Sequence, residues 1–281
     1  MQLQYFLPSI DLQPLLTIHA QVSQLTAPLV GSLPAMMANL HIRISGRSTY
    51  QFPDEPEVEA TAVTLVGASD TSYTLRATDD CRFVILGFLP LGWLKIIGEP
   101  AWRYRRAIVC GSSIWRASVL EGLVDALRHT DLDGSHIPIV ETFIRSQVRT
   151  NAPQRLVDRI GLIDRWLERP VSTHVDSLLE DLGLTGRQLQ RATADIYGGS
   201  PKMLEMKYRA LRVAAEFSFN AKSRPSLSLG DFADQSHLTR DFRRFIGTTP
   251  TAFIRERSAL AAATLRGRRA AGAVRPLILL S

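Results

Sequence analysis

Cysteine is nearly absent from this 281-residue chain, with Cys81 and Cys110 the only two. Two thiols cannot build a disulfide framework or a four-cysteine zinc site. They read as ordinary part-buried thiols of a reducing compartment. Histidine is scarce too: the part that reads as β-rich holds only His19 and His41, and no His-x-His occurs. The clustered ligands of a metal-dependent barrel enzyme are therefore missing, and no catalytic or metal-binding residue is expected. No basic segment opens the chain, so Met1-Gln2-Leu3-Gln4-Tyr5 is not read as a signal peptide. Long apolar runs are missing as well. The most apolar stretch, 83–97, is broken by Gly87, Pro90, Gly92 and Lys95 and falls short of the roughly 20 residues a membrane span needs. The expectation is a soluble, cytoplasmic protein with no cofactor and no membrane partner.

What is present is an ordinary globular balance, 45% hydrophobic and 21% charged, with a net charge of +6. That charge is placed unevenly. Residues 155–269 hold 20 Lys and Arg against 13 Asp and Glu, whereas the rest of the chain holds 13 against 14. A basic excess confined to one part points to a polyanionic partner there, although a solvated basic face gives the same count. The N-terminal part alternates in the manner of strands: Leu40, Ile42 and Ile44 form a period-2 stripe, and 63–66, 73–75 and 83–86 are short strand candidates. Pro53-Asp54-Glu55-Pro56-Glu57 is a loop. From about 113 to 149 the period becomes helical, with Leu120, Leu123, Val124 and Leu127 at i, i+3, i+4, i+7. Asn151-Ala152-Pro153 is the best boundary. The predicted organisation is a β-rich domain over 1–112, a helical connector over 113–152, an all-helical domain over 153–260, and a basic and apolar tail over 261–281.

The helical domain contains an internal repeat at an offset of 49. Thr185 pairs with Asp234, Leu189 with Leu238, Arg191 with Arg240, Ile196 with Phe245, Gly198 with Gly247, Ser200 with Thr249, Pro201 with Pro250 and Leu204 with Phe253. In the first copy Val175, Leu178, Leu179 and Leu182 form a helix stripe, with Thr173 as a candidate N-cap. Gly183 suits the turn, and Thr185 with Gln188 makes a capping box for a second helix. Helix, tight turn and capped helix are the helix-turn-helix pattern. The second helix turns Leu189, Ala192 and Ile196 inward and Arg187, Gln190, Arg191 and Ala194 outward. Forked guanidinium donors and an amide are groups that read base edges. In the second copy Leu238, Phe242, Phe245 and Ile246 face inward, and Ser236, Thr239, Arg240 and Arg243 outward, with Arg244 extending the basic edge. A linker helix from Pro201 to about Phe219 joins the copies. At 1.5 Å per residue it spans about 29 Å, close to the roughly 34 Å between successive major grooves on one face of a duplex.

Residues 232–250 (Phe-Ala-Asp-Gln-Ser-His-Leu-Thr-Arg-Asp-Phe-Arg-Arg-Phe-Ile-Gly-Thr-Thr-Pro) and Gly198-Gly199-Ser200-Pro201 resemble the AraC/XylS family of bacterial transcription regulators over about 156–257. The resemblance implies that the helices near 186–197 and 235–246 enter successive major grooves. By position Arg187, Gln190 and Arg191, then Gln235, Ser236, Thr239 and Arg240, would contact bases. Lys202, Lys207, Arg209, Arg243 and Arg244 are candidate phosphate contacts. Tyr5-Phe6-Leu7-Pro8-Ser9, Gly87-Phe88-Leu89-Pro90-Leu91-Gly92 and Gly98-Glu99-Pro100-Ala101 resemble a domain found fused to such modules. It implies a small barrel or cupin-like sensor that binds a small-molecule effector or dimerises. The implied whole is an α+β, two-domain activator or repressor with double-stranded DNA as partner and RNA polymerase as a candidate second one.

Two features depart from the pattern. The first helix of the second unit should fall near 224–231, where Pro225 and Gly230 oppose helix by about 3 and 1 kcal/mol relative to Ala. Thr193 stands where the other copy has Phe242, thinning the first unit's core. A degenerate module that binds protein is therefore an alternative, and a barrel-fold enzyme a more distant one.

Overall fold

Leu40, Ile42 and Ile44 lie on one side of a strand that is covered on both faces, as its alternate residues Asn39 and His41 are buried too. The strand is β4 (Asn39–Ser45) in a computed structural model that describes residues 2–23, 27–149, 151–169, 175–219, 235–256, 260–273 and 275–280. The half-buried strand expected from its alternation is thus buried on both faces over Asn39–Ile42, and only Arg43 and Ser45 are part-exposed. β4 sits inside a six-stranded antiparallel sheet made with β1 (Gln2–Phe6), β2 (Leu16–Ser23), β7 (Val63–Val66), β9 (Arg82–Phe88) and β10 (Ile108–Cys110), in the order β1-β2-β9-β4-β7-β10. Leu40 stands opposite both Leu86 and Leu65, so bulky side chains align across three strands. A second sheet orders β3 (Leu29–Leu33), β8 (Tyr73–Ala77), β5 (Ser48–Gln51) and β6 (Val58–Glu59) as β3-β8-β5-β6. The two sheets do not close into one hydrogen-bonded barrel. They enclose a core of Val22, Leu33, Tyr50, Phe52, Tyr73, Leu75 and Phe83. The expected loop at 53–57 links β5 to β6 and is exposed.

β9 leads through a short helical turn, α1 (Pro90–Gly92), into a π-turn over Trp93–Ile97, and Ala101–Tyr104 form a 3-10 turn. The outer face of the large sheet is covered by α2 (Ala117–Arg128) and α3 (Ile137–Gln147). Leu120, Leu123, Val124, Leu127, Val140, Phe143 and Ile144 form one core with Leu40, Ile42, Ile44 and Leu65. The segment read as a connector is therefore part of the N-terminal domain. Its helical stripe was legible, but not the sheet it packs against.

The described residues of the C-terminal part form helices and no strand: α4 (Gln154–Glu168), α5 (Val175–Leu182), α6 (Gly186–Tyr197), α7 (Pro201–Phe219), α8 (Gln235–Ile246), α9 (Pro250–Arg255), α10 (Leu260–Ala270) and α11 (Pro276–Leu280). The stretch expected as a basic and apolar tail contributes to the core. Ala261, Ala262, Leu265, Leu277 and Leu280 are buried in the core that α4–α9 share with Ile18, Ala35, Met37 and Leu89 of the N-terminal domain. Fused apolar cores of this kind hold two domains in one arrangement.

Candidate nucleic-acid interface

The capping box written in Thr185 and Gln188 forms. The Thr185 hydroxyl accepts from the Gln188 amide at 3.4 Å, and the Gln188 side chain accepts from the Thr185 amide at 2.9 Å. Gly183, at φ +59°, provides the left-handed turn between α5 and α6. Of the predicted α5 stripe, Leu178 is fully buried, and Val175, Leu179 and Leu182 are partly so. Thr173 lies outside the described residues, as does the whole stretch 224–231, together with Asp234.

The 49-residue repeat is realised as two helices of equal length, since α6 and α8 both have 12 residues and begin and end at shifted positions. Leu189 and Leu238, Thr193 and Phe242, Ile196 and Phe245, and Leu204 and Phe253 are all buried. Gly198 and Gly247 follow the two helices with φ +76° and +89°. The next helix begins each time with Pro at its first position, capped by Ser200, whose hydroxyl accepts from the Met203 amide, or by Thr249, which accepts from Ala252. The departure at Thr193 is absorbed locally: its hydroxyl donates to the Gln190 carbonyl at 3.1 Å.

Outward faces follow the same shift. Arg187, Gln190 and Arg191 are exposed on α6 and Ala194 is half-buried. Arg191 meets Asp195 at 3.7 Å, with the Arg side chain 86% exposed; such a surface pair is worth little and yields readily to a stronger anion. On α8 Ser236, Arg240 and Arg243 are exposed and Thr239 is half-buried. The side chain of Gln235 lies outside the described residues. Arg187 and Arg240 enter no ion pair among the described residues.

The expected phosphate contacts divide. Lys202 is exposed beside Glu205, 3.0 Å away, and Arg243 is exposed. Lys207 is not a surface cation. It lies between the buried Leu204 and Leu211 on the α7 stripe, and its ammonium donates to the Met36 and Ser69 carbonyls at 2.9 and 3.1 Å. Burial pushes its pKa down to about 7, against the pull of Asp70. Arg209 pairs with the buried Asp241 of α8 at 3.0 Å. Arg244 turns toward the N-terminal domain, where it meets Asp70 at 2.9 Å. These three were counted as phosphate contacts by charge and helix position, and neither reveals that Arg209 pairs with a neighbouring helix or that a second domain meets Lys207 and Arg244.

Alongside Met36, the residues that meet Lys207 and Arg244 come from one buried loop between β7 and β8, residues 67–72 (Gly-Ala-Ser-Asp-Thr-Ser), which had no motif to mark it. The Asp70 carboxylate takes both Arg106, at 2.5 Å, and Arg244. Burial opposes its ionisation, and the two guanidiniums outweigh this and hold its pKa below the ordinary value. The Ser72 amide and Thr71 hydroxyl donate to the Arg244 carbonyl at 2.9 and 3.0 Å. The C-terminal end of α8 is thus held against the N-terminal domain.

The two histidines weighed for a metal serve separate buried partners: His19 with Glu141 at 3.3 Å, His41 with the Tyr50 hydroxyl at 2.6 Å. Among the described residues no group of three or more His, Cys, Asp or Glu is arranged to hold a metal ion. No described helix is long and apolar enough to cross a membrane.

No protein-family model and no curated protein matches the chain. Among solved structures it is similar to ToxT from Vibrio cholerae, at 11% identity and TM-score 0.46, over 84% of this chain and 96% of that one. It is similar also to unsaturated-fatty-acid-bound ToxT from the same organism, at 12% identity and TM-score 0.45, over 83% and 96%. A third similar structure is the AraC-like transcriptional activator CuxR, at 17% identity and TM-score 0.30, over 71% and 77%.

Proposed function

We propose that the chain is a sequence-specific DNA-binding transcription regulator whose α6 and α8 each place their N-terminal turns in a major groove. One observation carries the reading: two helices of the same length, 49 residues apart, expose matching donor faces and bury matching core faces. In this reading Arg187, Gln190 and Arg191 contact one set of base edges. Gln235, Ser236, Thr239 and Arg240 contact the other, and Lys202 and Arg243 meet phosphates. A guanidinium pairs bidentately with guanine and an amide with adenine.

The N-terminal domain is proposed to sense a small molecule between its sheets. Leu3, Tyr5, Leu75, Phe83 and Arg268 of α10 surround a cavity of about 30 Å³ there. That is room for about one water, so an effector enters only if α10 shifts outward.

A protein-docking role competes with DNA binding because Lys207 is buried and Arg209 and Arg244 are paired with Asp241 and Asp70, leaving fewer cations for phosphate. Salt separates the two. Binding of the full chain to a duplex should weaken linearly in log–log form, with a slope of about 0.9 per phosphate neutralised. Absence of any duplex preference, or a flat salt response, contradicts the DNA reading.

A further inference from the structure

The N-terminal domain is poor in basic residues overall, yet 102–106 reads Trp-Arg-Tyr-Arg-Arg, three arginines in five residues with no acid. Arg106 is turned inward onto Asp70. Arg103 is turned outward, its side chain 58% exposed, with its guanidinium 5.6 Å from the ring centre of Trp102, itself half exposed.

The position of this pair is fixed relative to the first reader. The carbonyl of Ala101 lies 3.6 Å from where Gly198 would carry a Cβ, and the Ala68 methyl 3.2 Å. The turn Ala101–Tyr104 is therefore packed on the C-terminal end of α6. Trp102 and Arg103 form one wall of an open groove of about 780 Å³ whose other wall is the outward face of α6: Arg187, Gln190, Arg191 and Asp195. The face assigned to base reading and the N-terminal turn share one groove.

From this juxtaposition we infer that Arg103, on its Trp102 platform, contacts the sugar-phosphate strand bordering the major groove that α6 enters. This inference rests on the DNA-reading function proposed above. A helix with its side chains is about 10–12 Å across and the major groove about 12 Å wide. A reading helix fills the groove, and a wall standing beside its reading face meets the flanking strand. The charges facing the groove suit a polyanion: Arg103, Arg187 and Arg191 against Asp195 alone, which is already beside Arg191. Glu99 sits 3.3 Å from Arg103, with both side chains about half exposed, so the pair is weak and a phosphate can replace the carboxylate. The N-terminal domain is then part of the DNA-binding surface, and affinity does not reside in the helical domain alone.

The test uses the full chain and a duplex it selects from a random pool. Arg103→Ala is compared with wild type and with Arg116→Ala, which removes the same charge from an exposed site on the N-terminal domain. Arg103→Ala should weaken binding about three- to tenfold at about 0.1 M salt and reduce the log–log salt slope by about 0.9, leaving the selected sequence unchanged. Arg116→Ala should change neither. Arg103→Lys, which keeps the charge, should restore most of the slope. Equal binding by Arg103→Ala and wild type overturns the inference and leaves the reader helices standing. Tighter binding overturns it too, by showing that the wall obstructs the duplex. If the full chain selects no duplex at all, the DNA reading falls and takes this contact with it.

Discussion

Gly198 and Gly247, equivalent residues of the repeat, both abut the same buried loop: Ala68 lies 3.2 Å from a Cβ built on Gly198, and the Ser72 hydroxyl 2.8 Å from one on Gly247. Both glycines are left-handed, and Gly247 is the tighter, with the Ser32 hydroxyl at 2.5 Å. Gly183 is left-handed with nothing within 4 Å. Gly183→Ala should therefore cost only backbone strain, about 1 kcal/mol. Gly247→Ala adds a clash between domains and should cost about 2–4 kcal/mol. Chemical denaturation of the two variants checks the difference, and equal costs would show that the loop yields.

Asp70 fastens this dock through Arg244, with Arg106 of its own domain as its second partner. Asp70→Asn should lower stability by about 1–2 kcal/mol, a figure reduced because both guanidiniums are part-exposed to solvent. A melting scan reads this as a drop of a few degrees. If the loop also sets the distance between readers, the variant will tolerate a wider range of half-site spacings than wild type.

Lys207 gives the dock a pH dependence. Its pKa is about 7 when docked and the ordinary 10.5 when released. Between those values the released chain holds the extra proton, so stability rises as pH climbs from 7 toward 10. The rise is at most about 1.4 kcal/mol per pH unit. Lys207→Gln, with a side chain that still donates, should lose that slope. Unfolding free energies at pH 7, 8 and 9 decide it, and parallel curves for the two proteins would refute it.

Asp164 works in the opposite sense. Burial raises its pKa to about 7, although the Tyr197 hydroxyl, 2.6 Å away, donates to it and lowers the value somewhat. The unfolded carboxyl ionises near pH 4, so the native state keeps a proton the unfolded state has lost. Stability contributed by this group is present below pH 4 and is lost as pH rises to 7. Asp164→Asn keeps a partner for Tyr197 and should flatten that fall, so that the variant gains on wild type between pH 5 and 8. Titration of stability in both proteins checks it.

Helices α6 and α8 were legible because they are locally determined. The caps at Thr185 and Thr249, the left-handed Gly198 and Gly247, and the stripe of Leu189 and Ile196 lie within a few residues of what they control. β7 could be read from Val63–Val66 for the same reason. Lys207 was misread as a surface cation, and the pairing of Arg244 was not foreseen, because their partners are Met36, Ser69 and Asp70, more than 130 residues away. The α10 segment looked like a tail because its alanines and Leu265 gain their meaning only against Tyr5 and β3. No motif marked 67–72: Asp70 acts there through its position between two guanidiniums, which its neighbours in sequence do not encode.

The most direct test of two matched readers is to select duplexes with full-length wild type, Arg191→Ala and Arg240→Ala and compare the preferred sequences. The account predicts two half-sites about one helical turn apart, with each substitution relaxing one base position in a different half-site at a cost of about 1–3 kcal/mol. Loss of preference at the same position in both variants, or no change in either, would contradict it.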